Sequence, residues 1–401
     1  MKFAFPAGPP GFHPPTAALT RLLNQKGILN PADEQPYSEA ILLGLGGGLD
    51  TGYILYQFKH LPNPILVLGF RNQWNQTHAF IENLAERLKL GVEFHEFADQ
   101  NTAEKVLQIN IKSGRPVLVW VDKASLPYRH LSESLKGYIK HQVTVYGRDG
   151  RLWRLYIDDL STGPVEIREK TFTDARAILL ENNYLMMTLN ETPTLNIQDL
   201  RSAIINSIQA CAVHLTRPIK TIGISNLNTW ADKLNNRQTH LGWPQVFKDK
   251  KGLFPTLCTL YESIKLNGTE GFALRKLYSD FLHESAGILS NPAFNAVAGQ
   301  YLQLSNHWSS LAENALPSKV PVFDRVKKLL NKKSEAYRLN DLEKHQTIHK
   351  QFKSLAEAID ADFPLDSYEI SQLFERLSSQ VNLIAELEMS AARRLRDLTR
   401  R

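Results

Sequence analysis

The pattern of apolar residues changes near Thr192-Pro193, and this change limits the fold more than any other feature of the chain. Before it, runs rich in β-branched and aromatic residues alternate with helical patterns. After it, apolar residues recur at helical spacing almost throughout. The sequence therefore predicts an α+β domain with a mostly antiparallel sheet, followed by an all-α part. The predicted strands are Ile65–Phe70, Val92–Phe97, Val117–Val121, Val143–Tyr146 and Leu152–Ile157.

The length of 401 residues predicts more than one domain. We divide the chain into an α+β domain over 1–190, a helical domain over 191–317 and a helical tail or hairpin over 318–401. Pro317–Lys333 is basic and marked by prolines, and is interpreted as the join before the tail. The predicted helices after the break are Leu195–Leu215, Ser225–Leu234, Leu253–Leu266, Phe272–Ala286, Ala293–Ala315 and Ser367–Leu398.

Composition places the chain among ordinary globular proteins, with 43% hydrophobic and 22% charged residues. Two cysteines provide no disulfide framework, and no apolar run approaches the ~20 residues of a membrane span. A cytoplasmic protein is therefore expected, with no membrane contact. The net charge of +6 and five arginines between 393 and 401 are weak signs of nucleic-acid binding, because no reader motif or aromatic platform accompanies them.

Two polar residues lie at the facing ends of two predicted strands. His141 opens H-Q-V-T-V-Y-G, and Asp159 closes L-Y-I-D-D after a turn at Arg148-Asp149-Gly150. Antiparallel pairing brings the start of the first strand beside the end of the second. A carboxylate there can fix the tautomer of the imidazole and stabilise its charged form. Asp158 is the alternative partner, and strand alternation places it on the opposite face.

Five motifs in order resemble the N-terminal domain of the butirosin biosynthesis protein H family. Besides the two strands, they are H-P-P-T-A-A-L-T-R-L-L at His13–Leu23, S-E-A-I-L-L-G-L-G-G-G-L at Ser38–Leu49 and P-V-L-V-W-V-D-K-A-S-L-P-Y at Pro116–Tyr128. Glu262–Ser285 resembles the helical domain of unknown function that commonly follows. The resemblance covers roughly residues 10–315. It implies a papain-like fold, related to bacteriocin-processing cysteine peptidases, and transfer of an acyl group from a thioester to an amine.

The resemblance also implies roles for individual residues. His141 would be the base and Asp159 its orienting acid, while the family's cysteine nucleophile aligns with Pro14, which has no nucleophilic group. Thr16 lies two positions later on the helix and should point elsewhere. The residues that would line the substrate site are His13, Thr16, Gly46, Gly48, Asp122 and Tyr128.

Other polar or glycine-rich features have simpler interpretations. The glycines between Gly44 and Gly48 lack the lysine and Ser/Thr of a phosphate loop, so close packing is favoured. His95 between Glu93 and Glu96 is a poor metal-ligand set, and a solvated strand is favoured. Cys211 and Cys258 are expected to be buried small apolar residues. No metal or cofactor is expected.

Three functional hypotheses remain open. The first is an acyltransferase of bacterial specialised metabolism, using a carrier-protein or coenzyme A thioester, with His141 as base and backbone N–H groups near the first helix as oxyanion donors. The second is a catalytically inactive pseudoenzyme that binds a carrier protein or small molecule. The third is a structural or regulatory protein that uses its helical half as an interface. The apolar stripe from Ile370 to Leu387 is expected to be core, or the seam of a homodimer.

Overall fold

The computed structural model describes residues 9–57, 63–74, 76, 78–179, 184–191 and 194–400. The chain divides into two compact units, and neither is continuous in sequence. The first unit takes the described parts of 1–42, 84–197 and 333–349, and the second takes those of 43–83, 198–332 and 350–401. The expected boundary at Thr192-Pro193 lies outside the described residues. The division at 190 and 317 stays a prediction about domains.

The described residues form fourteen α-helices, and the part of the chain after residue 196 contains helices and no strand. The first five are α1 Pro14–Gln25, α2 Glu39–Leu45, α3 Ala79–Leu88, α4 Gln100–Lys112 and α5 Glu169–Ala177. The next five are α6 Ile197–Leu215, α7 Ile224–Asn235, α8 Trp243–Val246, α9 Leu253–Lys265 and α10 Arg275–Ile288. The last four are α11 Ala293–Ala315, α12 Pro321–Arg338, α13 Leu342–Ala361 and α14 Ser367–Thr399.

The strands form two separate sheets, and every strand pairing is antiparallel. The first unit contains a six-stranded sheet in the order β3-β8-β4-β5-β6-β7, and the second contains the pair β1-β2. The strands are β1 Leu49–Tyr56, β2 Ile65–Arg71, β3 Val92–His95, β4 Val117–Asp122, β5 Lys140–Asp149, β6 Arg154–Asp158, β7 Val165–Arg168 and β8 Met186–Leu189.

One face of the six-stranded sheet forms the core of the first unit. Strand alternation places Val119, Val121, Val143 and Val145 on this face, and all four are buried. The helices α4 and α5 and Tyr337 pack in the same cluster. This packing fixes the register of β4 and β5, and therefore the positions of the polar residues at their ends.

The second unit is a helical core that surrounds a buried ion pair. The Arg275 guanidinium donates to Glu388 on α14 at 2.6 Å, and the Trp308 indole donates to the same carboxylate oxygen at 3.0 Å. Both members of the ion pair are fully buried. The α14 helix begins with a capping box in which Asp366 and Glu369 exchange hydrogen bonds with each other's backbone N–H groups. Among the described helices, none is long and apolar enough for a membrane span.

The structure confirms an α+β class with an antiparallel sheet and a helix-rich C-terminal part. The helices expected after residue 195 agree within about three residues, which is the ordinary uncertainty of helix ends. The segment Pro317–Lys333, interpreted as the join before the tail, is mostly helical, because α12 begins at Pro321. A proline at the first helical position loses no needed N–H, and Phe323, Val326 and Leu330 supply a buried apolar face.

Candidate functional site

His141 and Asp159 lie side by side in the first unit. His141 is the second residue of β5, and Asp159 directly follows β6, the next strand of the hairpin. The His141 Nε2 atom lies 2.7 Å from the Asp159 Oδ1 atom, and both side chains are buried. The contact expected from antiparallel pairing is therefore confirmed. That the pair acts in catalysis stays a prediction.

Asp158 belongs to a different contact. Asp158 is the register partner of Thr144 on β5, and its carboxylate accepts a hydrogen bond from Arg21 on α1. Adjacent residues of a strand point to opposite faces, so one aspartate contacts α1 while its neighbour contacts His141. This geometry decides between the two aspartates, and Asp159 is the partner of the histidine.

Arg129 is a third member of this group. Its Nε donates to Asp159 Oδ2 at 3.1 Å, and its Nη2 donates to Oδ1, in the two-point geometry that arginine forms with carboxylates. The same Nη2 lies 3.0 Å from His141 Nε2. Since an ionised carboxylate only accepts hydrogen bonds, we assign a proton to Nε2 that is donated to Asp159, so the contact with the Arg129 Nη2 donor is not itself a hydrogen bond. The guanidinium and the imidazole then compete for one carboxylate oxygen.

These neighbours set the protonation of the pair. Burial lowers the pKa of His141 to about 4, although the Asp159 carboxylate raises it, and the Arg129 charge lowers it further. Burial alone would raise the pKa of the Asp159 carboxyl, but Arg129 and His141 hold it well below its usual range. At neutral pH the pair is therefore a neutral imidazole beside an ionised carboxylate. Nδ1 is the ring nitrogen with no hydrogen-bond partner among the described residues.

Two tyrosines enclose Asp159. The Tyr128 hydroxyl donates to Asp159 Oδ2 at 2.9 Å, and the Tyr337 hydroxyl donates to the Asp159 backbone carbonyl at 2.7 Å. The two rings stack with centroids 6.2 Å apart, and the Arg129 guanidinium lies 4.1 Å from the Tyr337 ring centroid. Tyr128 thus lies at the site that the sequence predicts, but its hydroxyl is already engaged by the carboxylate.

The first two residues of α1 have neither a nucleophilic side chain nor the backbone N–H donors that a helix N-terminus usually offers. Pro14 and Pro15 occupy the first helical positions, and neither has an N–H group. The Glu39 carboxylate accepts the backbone N–H groups of Phe12 and His13, each at 3.0 Å, and lies 2.9 Å from the Thr16 hydroxyl. A carboxylate therefore accepts the N–H groups of the two residues that directly precede α1.

His13 and Thr16 serve this local arrangement. The His13 Nδ1 atom lies 3.2 Å from the Thr16 hydroxyl, and both residues are buried. Burial raises the pKa of the Glu39 carboxyl, while the backbone hydrogen bonds from His13 and Phe12 oppose that rise. The structure thus gives His13 and Thr16 a role in holding Glu39, and a contact with substrate remains an expectation.

Asp122 ends β4, beside the strand that carries His141. Val121 is the register partner of His141, and Asp122 that of Lys140. The Asp122 side chain is fully buried, and Oδ2 accepts a hydrogen bond from Ser125 at 2.6 Å. Its Oδ1 atom has no hydrogen-bond partner among the described residues. This buried oxygen is a candidate acceptor for a ligand.

Gly46 and Gly48 belong to the second unit. A Cβ atom on Gly46 would meet the Phe80 ring at 2.1 Å, and one on Gly48 would meet the Cys211 sulfur at 2.7 Å. Gly48 also has a φ of +72°, which a residue with a side chain rarely adopts. Close packing, the favoured interpretation of these glycines, is what the structure contains.

His95 and the cysteines also have local explanations. His95 Nε2 lies 3.0 Å from the Thr188 hydroxyl on the neighbouring strand. Over the described residues, no group of three or more His, Cys, Asp or Glu side chains is arranged to hold a metal ion. Both cysteines are buried, as expected, and burial raises the pKa of Cys211 to about 11. A thiol with that pKa is not a nucleophile at neutral pH.

Sequence reasoning missed Arg129, Glu39 and Tyr337. Arg129 directly follows the L-P-Y segment, and this position next to a predicted site residue is the sequence feature that could have identified it. Glu39 lies in the motif Ser38–Leu49 but was given no role, because only the structure reveals which N–H groups donate hydrogen bonds to it. Tyr337 lies more than 170 residues from Asp159, and no local pattern connects them.

Family models match most of the chain. Residues 13–160 match the model described as Butirosin biosynthesis protein H, N-terminal, and residues 173–345 match Domain of unknown function (DUF4872). The first region belongs to the butirosin biosynthesis protein H N-terminal family. No curated protein matches the chain. In this butirosin biosynthesis protein H-type region, the matched range contains His13, Pro14, Glu39, His141 and Asp159. Tyr337 lies in the range matched by the second model.

Proposed function

We propose that this chain is a catalytically inactive member of the butirosin biosynthesis protein H family, with a papain-like N-terminal domain that binds an acyl-thioester carrier or a small molecule. The observation that supports it most directly is the start of α1, where Pro14 and Pro15 replace a nucleophile and two N–H groups and Glu39 accepts the donors that remain nearby. Family membership supports the acyltransferase-like ancestry.

Covalent acyl transfer needs a nucleophile, and the proline ring supplies none. The two cysteines do not replace it, since both lie in the second unit and are buried. Thr16 does not replace it either, because its side chain is fully buried and no substrate carbonyl can reach its hydroxyl. A covalent acyl-enzyme at this position has no residue to form on.

Stabilisation of an oxyanion is also compromised. Transferring an acyl group builds negative charge on the carbonyl oxygen, and preorganised N–H donors normally stabilise that charge. Here the N–H groups of Phe12 and His13 already donate to a carboxylate. A second negative group beside Glu39 would be repelled. This argues against the use of backbone N–H groups near α1 as oxyanion donors.

A direct acyltransferase without a covalent intermediate is the second candidate. It is favoured by the 2.7 Å contact between His141 and Asp159, which leaves the Nδ1 lone pair able to accept a proton from an amine. However, a base with a pKa of about 4 has little driving force for proton abstraction near neutral pH. Non-covalent binding therefore remains the stronger proposal.

The test combines an activity assay with a binding assay. Wild type, His141→Ala, Pro14→Cys and Pro14→Cys/Glu39→Gln would be compared with acyl-carrier-protein and acyl-coenzyme A thioesters and a panel of amines. The acylated amines, the released thiols and any acyl-protein adducts would be followed by mass spectrometry, and thioester binding by calorimetry.

Binding by wild type without turnover, with an adduct only in the cysteine variants, supports the proposal. Turnover by wild type that is lost in His141→Ala would establish the direct acyltransferase instead. Absence of both binding and turnover would remove the first two hypotheses and leave the structural or regulatory one.

A further inference from the structure

A cavity of about 400 Å³ lies within the second unit, and none of the residues that line it belongs to the His141 site. It is formed by the end of α7, the segment that includes α8, and the first turns of α14. Its volume is within the range of small-molecule sites in proteins.

The floor of the cavity is aromatic. Phe247, Phe374 and Ile370 line it and are all buried. Trp243 packs behind the floor, with its ring centroid 5.3 Å from that of Phe247 and 5.5 Å from that of Phe374. A fully buried indole that donates to the Tyr53 hydroxyl at 2.8 Å holds this floor in place. Such a surface favours an apolar or planar group of a ligand.

The rim of the cavity is mainly cationic. Arg237, Lys248 and Lys250 line it, against the single carboxylate of Glu375. The Arg237 guanidinium already reaches α14 by donating to the Ser371 hydroxyl at 2.5 Å, and the Lys250 ammonium donates to a backbone carbonyl at 2.8 Å. Lys248 is exposed and has no anionic partner among the described residues. The rim thus carries an excess of positive charge over an apolar floor.

The end of the helix itself is not the source of this preference. The side chains of Asp366 and Glu369 form the capping box of α14, so the Glu369 N–H at its start already has a carboxylate acceptor. An incoming anion would therefore be recognised by side chains, above all by the Arg237 fork, which suits carboxylate and phosphate oxygens.

We propose that this cavity binds a small organic anion, a carboxylate or phosphate monoester joined to an apolar body. The anionic group would contact Arg237 and Lys248, and the body would lie on Phe247 and Phe374. A bare inorganic anion would gain nothing from the floor, and a neutral apolar molecule would leave the cationic rim without a partner. This site is separate from the His141 site, and its test does not depend on acyl transfer.

The experiment uses the full chain and four probes, namely 3-phenylpropionate, phenyl phosphate, 3-phenylpropionamide and inorganic phosphate. Dissociation constants would be measured by calorimetry, and the fluorescence of the tryptophans would be followed in parallel. The carboxylate, the phosphate ester or both should bind at least about tenfold more tightly than the neutral amide and inorganic phosphate. Which of the two binds better distinguishes the two anion chemistries.

The decisive variant is Arg237→Gln/Lys248→Gln, because both side chains are exposed and their loss should not disturb folding. It should weaken binding of the preferred anion roughly tenfold. Arg393→Gln/Arg394→Gln is the matched control, since it removes the same charge from the other end of α14 and should leave the affinity unchanged. No detectable binding at about 5 mM, equal affinity for the amide, or equal weakening in both variants would overturn the proposal.

Discussion

The hydroxyl of Tyr337 donates a 2.7 Å hydrogen bond to the backbone carbonyl of Asp159. The bond joins α12 to the residue that directly follows β6, and both residues are buried. A residue from the C-terminal third of the chain therefore helps to fix the carboxylate that contacts His141. Segment 333–349 is for this reason part of the candidate site, although it is remote in sequence.

The first prediction concerns this hydrogen bond. Tyr337→Phe leaves the ring stacked on Tyr128 but leaves a buried carbonyl without its donor. We expect the free energy of unfolding to fall by about 1–2 kcal/mol. Urea unfolding measures it, with Tyr368→Phe as the control because that side chain is 70% exposed. Equal stability of the two variants would show that the hydroxyl contributes nothing.

The sequence predicted the parts of the site that depend on local pattern. His141 and Asp159 stand near strand ends that a single hairpin brings together, so their proximity could be predicted from antiparallel pairing. Six of the helices after residue 195 followed from apolar spacing, whereas α8, α12 and α13 were not predicted as individual helices. The absence of the family's cysteine at Pro14 could be recognised from the sequence, because the resemblance predicts a cysteine at that position.

The sequence could not predict contacts that depend on tertiary packing. Arg129 has no periodic signal, because it lies in the short 3₁₀ turn Pro127–Arg129, which is followed by His130 in the left-handed conformation. The short strands β7 and β8 were not among the predicted strands. The strand β1 was missed because its Gly52 and Asp50 are poor strand formers.

A second prediction concerns Arg129. Arg129→Gln removes the cation that neutralises a buried carboxylate, so we expect a loss of about 3–5 kcal/mol in the free energy of unfolding. In the folded variant the pKa of His141 should rise, because a positive neighbour is lost. The ring proton shifts of His141 in an NMR titration report this directly.

Two further variants keep this test interpretable. Arg129→Lys retains the charge but not the two-point contact, so its effects should lie between wild type and Arg129→Gln. Arg151→Gln removes an exposed charge and should change neither quantity. A His141 pKa that stays the same or falls in Arg129→Gln would contradict the assigned competition for Asp159.

A third prediction concerns pH. The pKa of His141 is lowered in the folded state, so between pH 6.5 and about 4 the unfolded chain binds more protons than the folded one. Stability is therefore present above pH 6.5 and is lost as the pH falls towards 4, by up to about 3 kcal/mol for this residue. Burial lowers the pKa of His345 to about 3, which adds a loss of the same sign.

The measurement is urea unfolding of wild type and His141→Asn at several pH values between 4 and 7. The variant should lose less stability over this interval than wild type, and His240→Asn, a change at an exposed histidine, should follow the wild-type profile. Parallel profiles for wild type and His141→Asn would mean that the imidazole is not buried as a neutral group.

The last prediction concerns the start of α1. A thiol introduced as Pro14→Cys would lie at a helix N-terminus, which normally lowers the pKa of a thiol. The Glu39 carboxylate accepts N–H groups at that same end, and its charge should oppose this effect. We therefore expect Pro14→Cys to react slowly with iodoacetamide at pH 7, and Pro14→Cys/Glu39→Gln to react roughly tenfold faster. The buried Cys211 and Cys258 should contribute little to either rate. The reaction rate of the wild-type protein, which has only these two cysteines, measures their contribution directly. Equal rates in the single and double variants would show that Glu39 does not suppress a nucleophile there, and the proposed inactivity would then rest on Pro14 alone.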